Sequence, residues 1–222
     1  MSNKLEQFAA LLSDRKEREY EKWFDEIAEF LMNHLCLEVG KTRYRITECE
    51  FYYNDQMDES HKDVYTHGEI EQQSFCNLYL NKVGGLDITF GKSNIYAGIL
   101  IRGIRNIEKQ DEYISYVTGI TREVFRSLGN IITEVNGIQL KELLTDSFEI
   151  ESPIKTKRAR LKFNEDDKKD YLNKKYRYII ELKPSHKFFD KENLVRDLIQ
   201  TNEYLHKDPK EILGYELPKK SK

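Results

Sequence analysis

Between Tyr44 and Tyr52 the chain keeps the two-residue rhythm of a strand, and two of the positions on one side are acids. In an extended segment Tyr44, Ile46, Glu48, Glu50 and Tyr52 fall together, with Arg45, Thr47, Cys49 and Phe51 on the other side. Carboxylates in register with core-type residues restrict the fold sharply. Burying one without a partner costs several kcal/mol, so each needs a cation or a chemical task. An edge strand with Glu48 and Glu50 in water satisfies the same pattern, and spacing alone favours that reading.

The segments around this strand give a mixed architecture. Residues 4–35 read as helix through Leu5, Phe8, Leu12, Trp23, Ile27, Phe30, Leu31 and His34, with a bend near Ser13 and Gly40 as the close. Residues 44–107 read as predominantly β, with strands over 75–80, 86–91 and 96–104, a polar loop over 54–63 and a hairpin turn at Gly84 and Gly85. A helix capped by Thr121 and stopped by Gly129, a short helix over 137–144, strands over 157–163 and 176–182, and an amphipathic helix over 191–205 complete the chain. The expected fold is α+β: one domain with a curved, mainly antiparallel β-sheet surrounded by helices. It divides into a helical segment over 1–40 packed on the core, an α+β core over 41–187, and a C-terminal helix with a basic, frayed tail over 188–222.

Fourteen Tyr and eleven Phe among 222 residues supply enough apolar surface for one packed core. No apolar run approaches a membrane span, and the start lacks a signal-peptide pattern, so a soluble cytoplasmic protein is expected. Cys36, Cys49 and Cys76 are scattered and the five histidines show no ligand spacing, so neither a metal nor another cofactor is expected. The net charge is −3, yet residues 153–187 hold twelve Lys and Arg against five acids. Such a stretch is either a phosphate-binding surface or a solvated charge run.

Ile46, Thr47, Glu48-x-Glu50-x-Tyr52 and His61, eleven residues past Glu50, together resemble the active-site segment of the alkyladenine (methylpurine, 3-methyladenine) DNA glycosylase family. The apolar run 98–104 containing Arg102 is similar to the family's strand that ends in an arginine, and residues 175–180 resemble a late basic and aromatic strand. The matches come in the family's order from residue 43 to 180.

The resemblance implies that Glu50 activates the water that hydrolyses an N-glycosidic bond and that Arg102 orients it. It also implies that Tyr52 and His61 sandwich a flipped base and that Tyr79 is a third aromatic wall. Double-stranded DNA containing a modified base is then the partner, and a cofactor-free, monofunctional monomer the expected form. Two family features are missing. No tyrosine wedge stands in the run 81–84, and the polar residue that gates purines is unmatched over 88–91. The base therefore stays open between an alkylated purine and a bulky phage-type base such as glucosylated hydroxymethylcytosine. The first would mean repair and the second anti-phage defence. A non-catalytic nucleic-acid-binding module and a protein-interaction domain are the competing classes; in the former the basic stretch rather than Glu50 would carry binding.

Overall fold

The computed structural model describes residues 3–15, 19–109, 111–130, 137–144, 148–201 and 208–218. Two helices, α1 (Lys4–Ser13) and α2 (Tyr20–His34), open the chain. The Asn3 side chain caps α1 by accepting from the Glu6 N–H at 2.8 Å, which satisfies one of the donors a helix start leaves open. Trp23, Phe24, Ile27 and Leu31 recur at three- and four-residue steps on α2 and are buried against the sheet.

Nine strands come next among the described residues: β1 (Leu35–Val39), β2 (Thr42–Asp55), β3 (Phe75–Leu80), β4 (Leu86–Phe90), β5 (Ile95–Asn106), β6 (Tyr113–Ser115), β7 (Ile138–Glu142), β8 (Ile154–Thr156) and β9 (Arg177–Ile179). They form one curled antiparallel half-barrel in the order β3-β4-β5-β2-β1-β7. β6 adds to β5, and the pair β9-β8 adds to β2 beyond the reach of β1. Helix α3 (Val117–Ser127) lies against β5 and β6, while α4 (Lys191–Thr201) and α5 (Pro209–Leu213) bury Leu194, Leu198 and Ile212 around Ile179 and Leu182. The fold is α+β, and no helix among the described residues is long and apolar enough to cross a membrane.

The strand carrying the two acids does not keep a single phase. Its register against β5 shifts on both sides of Glu48, with Thr47 the extra residue on β2 and Arg102 the extra residue on β5. Tyr44 and Ile46 consequently join Cys49, Phe51 and Tyr53 in the core beneath the helices. Arg45 takes the opposite face with Glu48, Glu50 and Tyr52. This corrects the unbroken alternation read from the sequence, and the physical reason is that a bulge inserts one residue and reverses the facing of every residue after it. Gly103, opposite Glu48, makes the bulge possible. A Cβ there would lie 2.8 Å from Glu48 Cβ and 3.0 Å from Thr47 Oγ1.

Three further expectations change. Residues 137–144 hold β7, not a helix, because Ile138 to Glu142 pair with Leu35 to Val39 of β1. Residues 157–163 are not a strand: Arg158 turns inward and Arg160 sits at φ +61°. Thr121 does not cap α3, which begins at Val117; its hydroxyl donates to the Gly84 carbonyl at 2.6 Å. The expected helical residues 202–205 and the tail residues 219–222 lie outside the described residues.

Candidate active site

On the face of the sheet turned away from α1 and α2, the pairing registers align a row across five strands. Tyr79 of β3, Asp87 of β4, Leu100 of β5, Glu50 of β2 and Arg177 of β9 stand opposite one another. Strands in a sheet are close to 4.8 Å apart, so the Cα atoms of Asp87 and Glu50, separated by Leu100, are about 10 Å apart.

Glu50 is fully buried and held from three sides. Its Oε1 accepts the Ala159 N–H at 2.7 Å and lies 3.2 Å from Arg102 Nε, while Oε2 accepts the Tyr52 hydroxyl at 2.8 Å. Glu48 Oε1 accepts from Arg102 Nε at 3.1 Å and from Arg177 Nε at 2.7 Å. Two carboxylates are thereby faced by two guanidiniums, and a buried charge is tolerable only with such pairing and hydrogen bonding. Burial weakens the hold of Arg102 on its proton, but the charges of Glu50 and then Glu48 more than reverse this and raise its pKa.

The walls of a cavity of about 410 Å³ include Tyr52, Tyr65, His67, Asp87, Arg102 and Arg160. That volume lies within the roughly 300–1,000 Å³ of small-molecule clefts. Three residues that hold Glu50 (Tyr52, Arg102 and Ala159) line it, and the carboxylate stands directly behind them. One face of the Tyr52 ring is covered by Arg158, whose Cζ is 4.6 Å from the ring centroid. Arg158 in turn forks onto Asp63 and donates to the Phe51 and Tyr171 carbonyls. A second cavity on the sheet, about 480 Å³, opens beside Arg45, Arg105 and Glu181, whose charges are already spent on one another.

Asp87 is the residue that sequence reasoning missed. It is 2 % exposed, and its Oδ1 accepts from Asn81 Nδ2 at 3.0 Å. Burial pushes its carboxyl up to about 7, against the Asn81 hydrogen bond and with the Glu50 charge adding to the rise. The available signal was an acid inside the apolar run of β4.

Glu50, Arg102 and Tyr52 are brought together as expected; His61 and Tyr79 are not. His61 lies on the helix side of β2, 4.1 Å from the Tyr20 ring and packed against Tyr53, Tyr171 and Tyr176. The loop that carries it folds back on β2 through the Asn54–Lys62 bridge, which sends the imidazole to the face opposite Tyr52. Tyr52 and His61 therefore do not sandwich a common space, and His61 borders a separate cavity with Tyr20 and Lys174. Tyr79 shares the row of Asp87 but sits one strand further out, beyond the cavity wall.

His61 Nδ1 faces the Tyr53 carbonyl at 3.0 Å and must donate, so Nε2 accepts from the Tyr176 hydroxyl at 3.1 Å. This is the neutral ring, and burial lowers its pKa to about 4. Burial does the same to His186, also to about 4. A histidine with a lowered folded pKa contributes stability that is complete above pH 6.5 and lost as pH falls toward 4, about 3 kcal/mol for each ring. Asp87 slopes the other way over pH 4–7 and offsets one of the two. Urea unfolding between pH 7.5 and 4.5 should show falling stability, with a shallower fall in His61→Phe. An equal slope in that variant would count against the neutral buried ring.

Part of the basic stretch is committed to structure. Arg158 and Arg177 are buried in ion pairs, Lys155 pairs with Asp25 and Lys174 with Glu21. Lys169 donates to the Glu59 carbonyl. Arg160, Lys162, Lys168, Lys183 and Lys187 stay exposed.

No family model matches the chain. An uncharacterized protein of Acanthamoeba polyphaga mimivirus is 28 % identical over 111 residues, covering 40 % of this chain. The chain spans about half the length of that relative, 50 %.

Proposed function

We propose that this chain is a monofunctional DNA glycosylase of the alkyladenine glycosylase type, which takes a modified base out of the duplex and hydrolyses its N-glycosidic bond. The observation that supports it best is Glu50. It is a buried carboxylate oriented by Arg102 directly behind the wall of a cavity of about 410 Å³, at the position where the resemblance puts the catalytic glutamate.

As the base departs, positive charge grows on the sugar. A carboxylate beside C1′ stabilises that charge and takes the proton of the attacking water. The reading requires a water to replace the Tyr52 hydroxyl on Oε2. Tyr52 and Tyr65 offer rings to the extruded base, and stacking of this kind is worth roughly 1–3 kcal/mol per base against an unstacking cost of a few kcal/mol. Exposed Arg160 lines the cavity and suits the DNA backbone. The substrate is an alkylated purine or a bulky phage-type modified base, and the setting cytoplasmic.

The complete hydrogen bonding of Glu50 favours a second reading, a non-catalytic nucleic-acid-binding module in which the carboxylate only holds strands together. One experiment separates them. Ordinary, methylated, deaminated and glucosylated DNA are incubated with the protein and scored for alkali-labile abasic sites. Breaks on one modified DNA and none on ordinary DNA are expected. Salt-sensitive binding without breaks on any of the four supports the module instead.

A further inference from the structure

We infer that a separate cavity, between the helix pair and the sheet, binds a neutral, flat heteroaromatic molecule with a hydrogen-bonding end, the chemical class of the nucleosides. It lies on the sheet face opposite the candidate active site, and the inference does not depend on the glycosylase reading. The cavity is about 610 Å³, and five rings line it: Tyr20 and Trp23 of α2, Tyr53 of β2, Phe75 of β3 and Phe90 of β4. Protein interiors pack as densely as organic crystals, with few voids larger than a water, so a space of this size needs a reason. Its lining is that of a small-molecule site, mostly aromatic with a few placed polar groups.

The rings are fixed against one another. Trp23 meets Tyr53 edge-on at 5.6 Å and Phe90 at 5.7 Å, and Tyr53 lies 5.3 Å from Tyr20. The Trp23 indole N–H is anchored on the Leu11 carbonyl at 2.8 Å. Fixed walls of this kind suit a rigid, planar guest, which loses little freedom on entry. One polar group is left over. The Tyr20 hydroxyl donates to Asp58 at 2.9 Å, whereas the Tyr53 hydroxyl has no hydrogen-bond partner among the described residues, although Tyr53 is only 5 % exposed. A tyrosine buried to this degree ordinarily has one.

The surroundings of that hydroxyl give the guest its polar end and its charge. The groups whose fields reach it are Tyr20, Asp55, Arg15 and Asp58, and burial raises its pKa, so it stays protonated and can donate. The ions on the cavity lining are Arg15 and Lys92 against Asp14 and Asp55, two of each sign. Asp55 Oδ1 is already taken by the N–H groups of Met57 and Asp58. A guest with a net charge of either sign gains nothing from so balanced a set. A guest without a polar end would leave the Tyr53 hydroxyl unpaired. A neutral ring system with an acceptor on one edge satisfies both conditions.

Trp23 is the single tryptophan of the chain and stands on the cavity wall, so its fluorescence reports occupancy directly. Adenosine, inosine, cytidine, AMP and naphthalene are titrated against the intact protein, with Trp23 emission and calorimetric heat recorded together. At least one nucleoside should bind saturably and change the emission, and AMP should bind no tighter than adenosine. In Tyr53→Phe, which keeps the ring and removes the hydroxyl, that nucleoside should bind roughly 3–10-fold more weakly, while the response to naphthalene should not weaken. Glu50→Gln, on the other sheet face, should bind it as the wild type does. No emission change with any of the three nucleosides overturns the inference. So does heat without an emission change, which would place the guest in another cavity. AMP binding tighter than adenosine would make this an anion site, and an unchanged affinity in Tyr53→Phe would remove the polar end; either result overturns it as well.

Discussion

Glu181→Gln should destabilise the protein by about 3–5 kcal/mol, the loss expected when one partner of a buried ion pair is removed. Glu181 accepts from Arg45 Nη1 at 2.6 Å, from Arg105 Nε at 2.6 Å and from the Tyr113 hydroxyl at 2.7 Å. The Phe148 ring covers both guanidiniums. The cluster ties β2, β5, β6 and the segment after β9, and Arg45 extends it to α2 through Asn33 Oδ1 and the Met32 carbonyl. Neutralising the carboxylate leaves two buried cations side by side. A domain of this kind is stable by only about 5–15 kcal/mol, so the variant should be partly unfolded at body temperature.

The pH dependence has a defined sign. Burial alone would raise the Glu181 carboxyl, but hydrogen bonds from Arg105 and Tyr113 and the charges of Arg105 and Arg45 hold it down to about 2. Its contribution is therefore complete above pH 4.5 and lost as pH falls toward 2. The control is Glu59→Gln, which breaks an exposed pair with Lys62 and should change stability by less than about 1 kcal/mol. Urea midpoints for the two variants measure the contrast. A Glu181 effect as small as the Glu59 effect would mean that the cluster is solvated rather than buried.

The sequence announced some of this arrangement and concealed the rest for physical reasons. Glu48 and Glu50 were legible as acids in an apolar strand, which need partners or water, whereas Glu50 and Arg102 were singled out as site residues by the resemblance; in the structure Arg102 pairs with both acids. The phase reversal at Thr47 was not, since it depends on Gly103, a residue of the neighbouring strand. Residues 138–142 have no helical or β preference strong enough to override their partner, and β1 decides the outcome.

His61 stands out in the sequence by its distance from Glu50. Distance along a loop carries no information about which face of the strand the loop folds over. Arg158 belongs by composition to a surface charge run and is instead the buried fork on Asp63, at the start of the segment whose Ala159 N–H reaches Glu50. Asp87 was hidden because an acid in a strand reads as an edge residue until the strands on both sides are known.

Glu50→Gln should abolish base excision, lowering the single-turnover rate by roughly 10³-fold or more, since both the base and the charge opposite the developing cation are lost. The amide keeps an oxygen for the Ala159 N–H and Arg102, and its NH₂ can donate to the Tyr52 hydroxyl, so the wall of the cavity should survive. Glu48→Gln is the informative comparison. Glu48 Oε1 is shared by Arg102 and Arg177, and Arg177 lies nearer to it, 2.7 Å, than to Glu50, 3.9 Å. Neutralising Glu48 therefore takes from Arg177 its near carboxylate, whereas Glu50→Gln leaves both guanidiniums on Glu48, so Glu48→Gln should lower the urea midpoint more than Glu50→Gln does.

Its effect on rate should stay near tenfold, because it acts on the chemistry only through the position of Arg102. The two substitutions thus separate along two axes, rate for Glu50 and stability for Glu48. If instead they slow excision equally, or if Glu50→Gln stays within tenfold of the wild type, the pair is a single structural unit. The catalytic carboxylate must then be sought on the cavity wall itself, where Asp87 stands.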